Sequence, residues 1–236
     1  MNSPAPSALD QLLAKVSQLV DRIESVLPQP LSAPDWTQAI AWRYRKRSSG
    51  HGVLEPVRHV AAMTLADLKE IDDQKEKLQR NTEQFVHGHP ANNVLLTGAR
   101  GTGKSSLIKA CLNTYAPQGL RLIEVDKEDL TDLPDIIEVV AGRPEKFVVY
   151  CDDLSFEDGE SGYKALKSIL DGTVSAASPN VLIYATSNRR HLLPEYMKDN
   201  LSYTHTDDGE VHPGEVIEEK ISLSERFGLW VSFYPF

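Results

Sequence analysis

Residues 94–115 read VLLT, GARGTGKS and SLIKACLNTY in succession: a short apolar run, a glycine-punctuated loop and an amphipathic helical stretch. This strand, loop and helix context is what turns a G-x-x-x-x-G-K-S match into a phosphate-binding site. Glycines let backbone N–H groups turn inward around the β- and γ-phosphates, and the following helix adds the positive end of its dipole. Lys104 is a compact charge for the same phosphates, and the Ser105 hydroxyl is a ligand for Mg²⁺. Gly98, Ala99, Arg100, Gly101, Thr102, Gly103, Lys104, Ser105 and Ser106 are the expected contacts to a nucleoside triphosphate.

From Asn93 onward short apolar runs alternate with helical segments, at Val94 to Thr97, Leu120 to Val125, Phe147 to Cys151, Val181 to Thr186 and Leu229 to Phe233. Runs of this length rich in Val, Ile and Leu predict strands buried on both faces. The expected fold is therefore α/β, with a five-stranded parallel sheet flanked by helices. No internal repeat at a period of 20 to 50 residues is present, which excludes solenoids and propellers.

Three of these strands bring polar residues to the edge where open α/β sheets bind ligands. The run FVVYCDD ends in Asp152 and Asp153, 48 residues beyond Lys104. Asp152 is the expected Mg²⁺ carboxylate, direct or one shell out, and Asp153 is placed to polarise a water against the γ-phosphate. The run VLIYATSN ends in Asn188, which can orient that water or touch the γ-phosphate. In SERFG, just before the last strand, Arg226 sits on a short turn from which it could reach a neighbour's γ-phosphate. Arg189 and Arg190 read as flanking surface or interface charges.

A guanine-reading N-K-x-D motif is absent, so a GTPase is excluded. Phosphate loop, paired acids, Asn-ended strand and an arginine before the fifth strand together resemble the AAA+ ATPases, which form rings or stacks in which the arginine acts in trans. The stretches IDDQKEKLQRNTEQFVHGHPANNVLLTGARGTGKSSLIKA, GLRLIEVDKEDL, FVVYCDDLSFE, YKALKSILDG and VLIYATSNRRHLLPE resemble the bacterial AAA+ family catalogued as domain of unknown function 815, from about Leu54 to Phe236. The resemblance implies that Gly98 to Ser105 bind ATP phosphates, that Asp152 and Asp153 are the acidic pair, that Asn188 is the sensor and Arg226 the finger, and that Leu68 to Ile71 lie near the adenine.

Two departures qualify the match. Most AAA+ proteins carry Glu where this chain has Asp153, and the shorter arm weakens water activation, so slow hydrolysis is expected. Glu157 would substitute if its loop folds back. The sequence ends at Phe236, straight after the fifth strand, where AAA+ proteins continue into a helical lid. A missing lid, through truncation, is the expectation.

Upstream, Leu9, Leu12, Leu13, Val16, Leu19, Val20, Ile23, Val26 and Leu27 recur at helical spacing between Ser7 and Pro28, which predicts an amphipathic helix packed on the rest of the protein or on a twin. Asp35 reads as the cap of a short helix bearing Trp36, Ile40 and Tyr44. That helix ends in the one basic run, Arg43, Arg45, Lys46 and Arg47, which suits a solvated helix end or a contact to nucleic acid or an acidic partner. Thr64 and Asp67 read as the capping box of a polar helix reaching Phe85. The expected division is 1–53, a helical region with a Pro-rich linker, and 54–236, the ATPase core.

Net charge is −9, from 25 Lys and Arg against 34 Asp and Glu, which disfavours a general nucleic-acid coat protein. Residues 1–90 are neutral, and Asp199 to Glu225 holds eight acids against Lys220 alone. His205 and His212 lie among those acids, compatible with a metal site but better read as a solvated loop. Cys111 and Cys151 lie in apolar runs, which predicts buried thiols, and no apolar stretch reaches membrane-spanning length. These features predict a cytoplasmic Mg²⁺-dependent ATPase that forms homo-oligomers and serves an unknown protein client. An ATP-gated binding module with negligible turnover, or a DNA-replication-type loader using Arg43 to Arg47, are the alternatives.

Overall fold

A computed structural model describes residues 8–26, 30–47, 50, 52–156, 160–172, 178–188, 204–205, 211–212 and 223–234. In chain order the elements are α1 (Ala8–Val26), β1 (Ala41–Lys46), β2 (Gly52–Pro56), α2 (Asp72–Val86), β3 (Val94–Gly98), α3 (Lys104–Tyr115), β4 (Leu120–Glu124), α4 (Leu133–Val140), β5 (Lys146–Cys151), α5 (Ser161–Leu170), β6 (Val181–Ser187), β7 (Thr204–His205), β8 (Val211–His212) and β9 (Leu229–Phe233). Strands β7 and β8 pair only with each other.

The α/β expectation holds, with one difference in strand number. Seven strands, not five, form the sheet in the order β2-β1-β4-β5-β6-β3-β9, and all neighbours are parallel except β1 and β2. The five expected strands occupy one end, and the added β1–β2 hairpin pairs onto β4 through Ala41 to Arg43. The short helix expected at Trp36 to Tyr44 is therefore a turn followed by a strand. The Asp35 carboxylate accepts hydrogen bonds from Thr37 N at 2.9 Å and Thr37 Oγ1 at 2.7 Å, closing a local turn instead of capping a helix. Beyond it side chains alternate between faces, with Trp42 and Tyr44 buried in one core, Ala41 in the opposite core, and Arg45 exposed. Strand β2 crosses the 53/54 position, and β1 and β2 lie in the same sheet as β3, the strand that leads into the glycine-rich loop.

Both sheet faces are covered, which explains the unbroken apolar runs. Alternate residues enter separate cores: Phe147, Val149 and Cys151 of β5 pack with Leu133, Ile136 and Leu166 of α4 and α5, while Val148 and Tyr150 pack with Leu78, Leu107 and Cys111 of α2 and α3. Both cysteines are free and buried, and burial pushes each thiol up to about 12. Helix α2 is fixed to the sheet by a buried polar cluster in which the Asn81 amide donates to Asn92 O and Tyr184 Oη, and Thr82 Oγ1 lies 2.9 Å from the same phenol.

The Thr64–Asp67 box is present, since the Asp67 carboxylate accepts from Thr64 N and Thr64 Oγ1. It caps only a single tight turn at Leu65–Asp67, however, and the helix starts later, at Asp72. Leu68 is extended and Glu70 has φ 61°, so the chain turns out of helical geometry between the two.

Candidate functional site

The carboxyl ends of β3, β5 and β6 are adjacent because β6 lies between the other two. Residues that follow these strands are thereby gathered at one edge. A cavity of about 240 Å³ is lined there by Arg100, Gly101, Gly103, Lys104, Ser105, Ser106, Asp152, Asp153, Thr186 and Asn188. Expected site residues as far apart in sequence as Lys104 and Asn188, separated by 84 positions, thus meet in one place.

The loop conformation is one that glycine permits. Gly103 precedes α3 with φ 95° and ψ 4°, and Gly98 closes β3 with φ 144°. Helix α3 opens on Lys104 with no acidic residue in its first turn, so no carboxylate of the helix itself offsets the positive end of its dipole at the cavity. A Cβ placed on Gly103 would lie 3.6 Å from Ile71 Cδ1, so the buried Ile71 side chain abuts the loop, at one end of the segment expected near a base.

Lys104 Nζ spends its three donors on Gly98 O at 2.7 Å, Ala99 O at 2.8 Å and Asn188 Oδ1 at 3.0 Å. Burial presses its ammonium below the ordinary lysine range, against support from Asp152 and Asp153. The Asn188 amide in turn donates to Asp153 Oδ1 at 2.6 Å. Lys104, Asn188 and Asp153 therefore form one chain of hydrogen bonds across the cavity. Asp153 has φ 50°, a left-handed conformation that turns its backbone at the strand end, a small strain of the kind found at binding sites.

Asp152 shares its Oδ1 among the Ser105 hydroxyl at 3.0 Å, Thr186 Oγ1 at 2.6 Å and Asp153 N at 3.1 Å. Partial burial raises the carboxyl, but the bonds from Thr186, Ser105 and the Asp153 amide outweigh it and hold the group below the usual carboxylate range. A hydroxyl and an ionised carboxylate side by side are the hard oxygen donors that Mg²⁺ takes. The buried Tyr150 Oη makes no hydrogen bond of normal geometry, and burial together with the Asp152 carboxylate pushes its phenol far up. An orphaned donor behind the carboxylate suits a site that holds a further polar group, and Ser105 and Asp152 are the pair that would ligate the ion.

Thr186 was missing from the sequence expectations. It is buried on β6, donates to Asp152 and accepts from Asp153 N at 2.9 Å, so one hydroxyl sets both acids. The available signal was a polar residue inside an apolar strand, two before Asn188 and so on the same face. Thr186→Val should raise the Asp152 carboxyl toward its ordinary value. A lowered carboxyl contributes stability above its unfolded value near 3.8, lost as pH falls through the lower folded value. The variant should therefore lose about 1 kcal/mol in urea unfolding at neutral pH, with the deficit vanishing in strong acid. A constant deficit at every pH would dissociate Thr186 from Asp152.

Arg226 does not line the cavity. It follows a single helical turn at 223–225 and forms an ion pair with Asp171 at the end of α5. Nothing in the sequence links these two residues, 55 positions apart. In the basic run, Arg43 pairs with Glu124, Arg45 and Arg47 with Glu55, and Lys46 with Asp132. Glu157, Arg189, Arg190 and most of the acidic segment 199–225 lie outside the described residues. Among the described residues no group of three or more His, Cys, Asp or Glu side chains could hold a metal, and no helix is long and apolar enough to cross a membrane.

A family model described as protein of unknown function (DUF815) matches residues 37–236. Among curated proteins, the replication factor C large subunit of Methanococcus aeolicus is 26% identical over 162 residues, 65% of this chain and 33% of its own length. The chain thus spans a third of that relative. Among solved structures, the Thermotoga maritima RuvB Holliday junction branch migration motor aligns over 74% of this chain and 48% of its own, with 17% identity and TM-score 0.44. A structure of DnaI aligns over 86% of this chain and 98% of its own, with 18% identity and TM-score 0.48.

Proposed function

The chain belongs to the DUF815 family of proteins of unknown function, and from its own site we propose that it binds Mg·ATP and hydrolyses it slowly, using the cycle to control an assembly or a partner. The observation that carries the reading is the convergence of Lys104, Ser105, Asp152, Asp153 and Asn188 on one cavity at the start of α3. Loop amides, the Lys104 ammonium and the α3 dipole bind phosphates. Bound Mg²⁺ would supply charge neutralisation on the phosphate oxygens. Asp153 accepts the proton of an attacking water, and Asn188, already bonded to Asp153, orients it.

Arg226 stands away from the cavity of its own chain, which fits a role at the γ-phosphate of a neighbour once its ion pair with Asp171 opens. Phosphate release per subunit should rise with protein concentration, and Arg226→Ala should lower the rate at high concentration by about a thousandfold. A specific rate independent of dilution and unchanged in Arg226→Ala would remove the trans mechanism.

The short Asp153 side chain, engaged by Asn188, favours a second reading as an ATP-gated binding module. That reading requires tight ATP binding with negligible turnover in the assembled protein. A DNA-loading role through Arg43 to Arg47 would instead require binding that falls steeply with salt, and a flat response would remove it.

A further inference from the structure

Among the described residues α1 contributes to neither core, and its large apolar side chains, Leu9, Leu12, Leu13, Val16, Leu19 and Val20, are 45–64% exposed. A 19-residue helix of this composition is marginal in water, and its stability has to come from packing of that face. The apolar positions follow a seven-residue repeat. Leu9 and Val16 share one column, which the sequence continues at Ile23; Leu12 and Leu19 share the column three positions on, which the sequence continues at Val26; Leu13 and Val20 widen the seam by one. A column that turns β-branched beside a column led by two Leu leans toward two parallel strands.

The borders of the seam carry opposite charge in the sequence. Lys15 and Arg22 fall on one border, and Asp10 and Glu24 on the other. Two helices related by an axis parallel to them set unlike borders side by side, whereas an antiparallel pair sets like against like. A bilayer is a poorer occupant, because three acids against two bases leave the helix net negative and an anionic surface repels it.

We propose that α1 pairs in parallel and in register with α1 of a second copy of this chain, so that the protein is a dimer before any nucleotide binds. The pairing holds two ATPase cores at high local concentration, and it does not rest on their chemistry.

Sedimentation equilibrium of the full chain without nucleotide tests this. The expected mass is twice that of the chain, unchanged in Lys104→Ala. The double variant Lys15→Glu/Arg22→Glu should weaken self-association about tenfold, as should Asp10→Lys/Glu24→Lys, and an equimolar mixture of the two should recover wild-type affinity. Unchanged thermal unfolding of the core in each variant keeps the comparison one of association. A monomer at every concentration, a wild-type mass in both double variants, or flotation with anionic lipid vesicles in place of self-association would overturn the proposal.

Discussion

Gly98→Ala is expected to lose about 3 kcal/mol or more of stability and to abolish nucleotide binding together. Gly98 ends β3 with φ 144°, where an L side chain is strained, and a Cβ there would run into the carbonyl oxygen of Phe233 on β9. Strain at such a position costs about 1–3 kcal/mol, and forcing neighbouring backbone apart adds a similar amount. Strand β9 pairs with β3 over five residues, Val94 to Gly98, so relief of the clash shifts the pairing that positions the loop. Thermal unfolding should show a midpoint lowered by roughly 6–12 °C. Gly119→Ala is the control: its φ is 97° but no atom lies within 4 Å of the added Cβ, so only a loss of about 1 kcal/mol is expected. Equal shifts for the two would show that the contact with β9 has no part in the effect.

The same close approach shows what a sequence conveys and what it does not. The motif at 98–105 specified a glycine for the sake of a phosphate, and the structure adds a second reason, the β9 backbone, that no local pattern encodes. Strands β3, β4, β5 and β6 were legible because both faces are buried, which leaves near-continuous apolar runs, and the edge strand β9 because Val231 and Phe233 turn inward around exposed Ser232. Strand β1 was not, because Trp36, Ile40 and Tyr44 happen to fall at four-residue spacing behind Asp35. Tertiary pairing with β4 selected the alternative period of two, with Trp42 and Tyr44 inside. Asp152, Asp153 and Asn188 were legible as polar ends of apolar strands. Thr186 and Asp171 were not, since their roles come from partners 34 and 55 residues away.

Asp152→Ala has the second large expected effect. The carboxylate is held ionised by Thr186, Ser105 and the Asp153 amide, and beside the Ser105 hydroxyl it would be the anionic donor for Mg²⁺ in the proposed site. Its removal should lower turnover by about two to three orders of magnitude and flatten the dependence of nucleotide affinity on Mg²⁺. Metal-free ATP affinity should persist, because Lys104 and the loop amides remain and a carboxylate repels phosphate. Phosphate release and nucleotide titrations across a range of Mg²⁺ concentrations check both parts. Full Mg²⁺ dependence in the variant would remove Asp152 from the metal site.

The central claim is that the cavity at the start of α3 takes Mg·ATP through Lys104. Calorimetric titration of Mg·ATP into the wild-type chain and into Lys104→Ala tests it most directly. A saturable isotherm of one ATP per chain, weakened at least about a hundredfold by loss of the ammonium, is the result predicted. No heat of binding in the wild type, or the same affinity in both proteins, would contradict it.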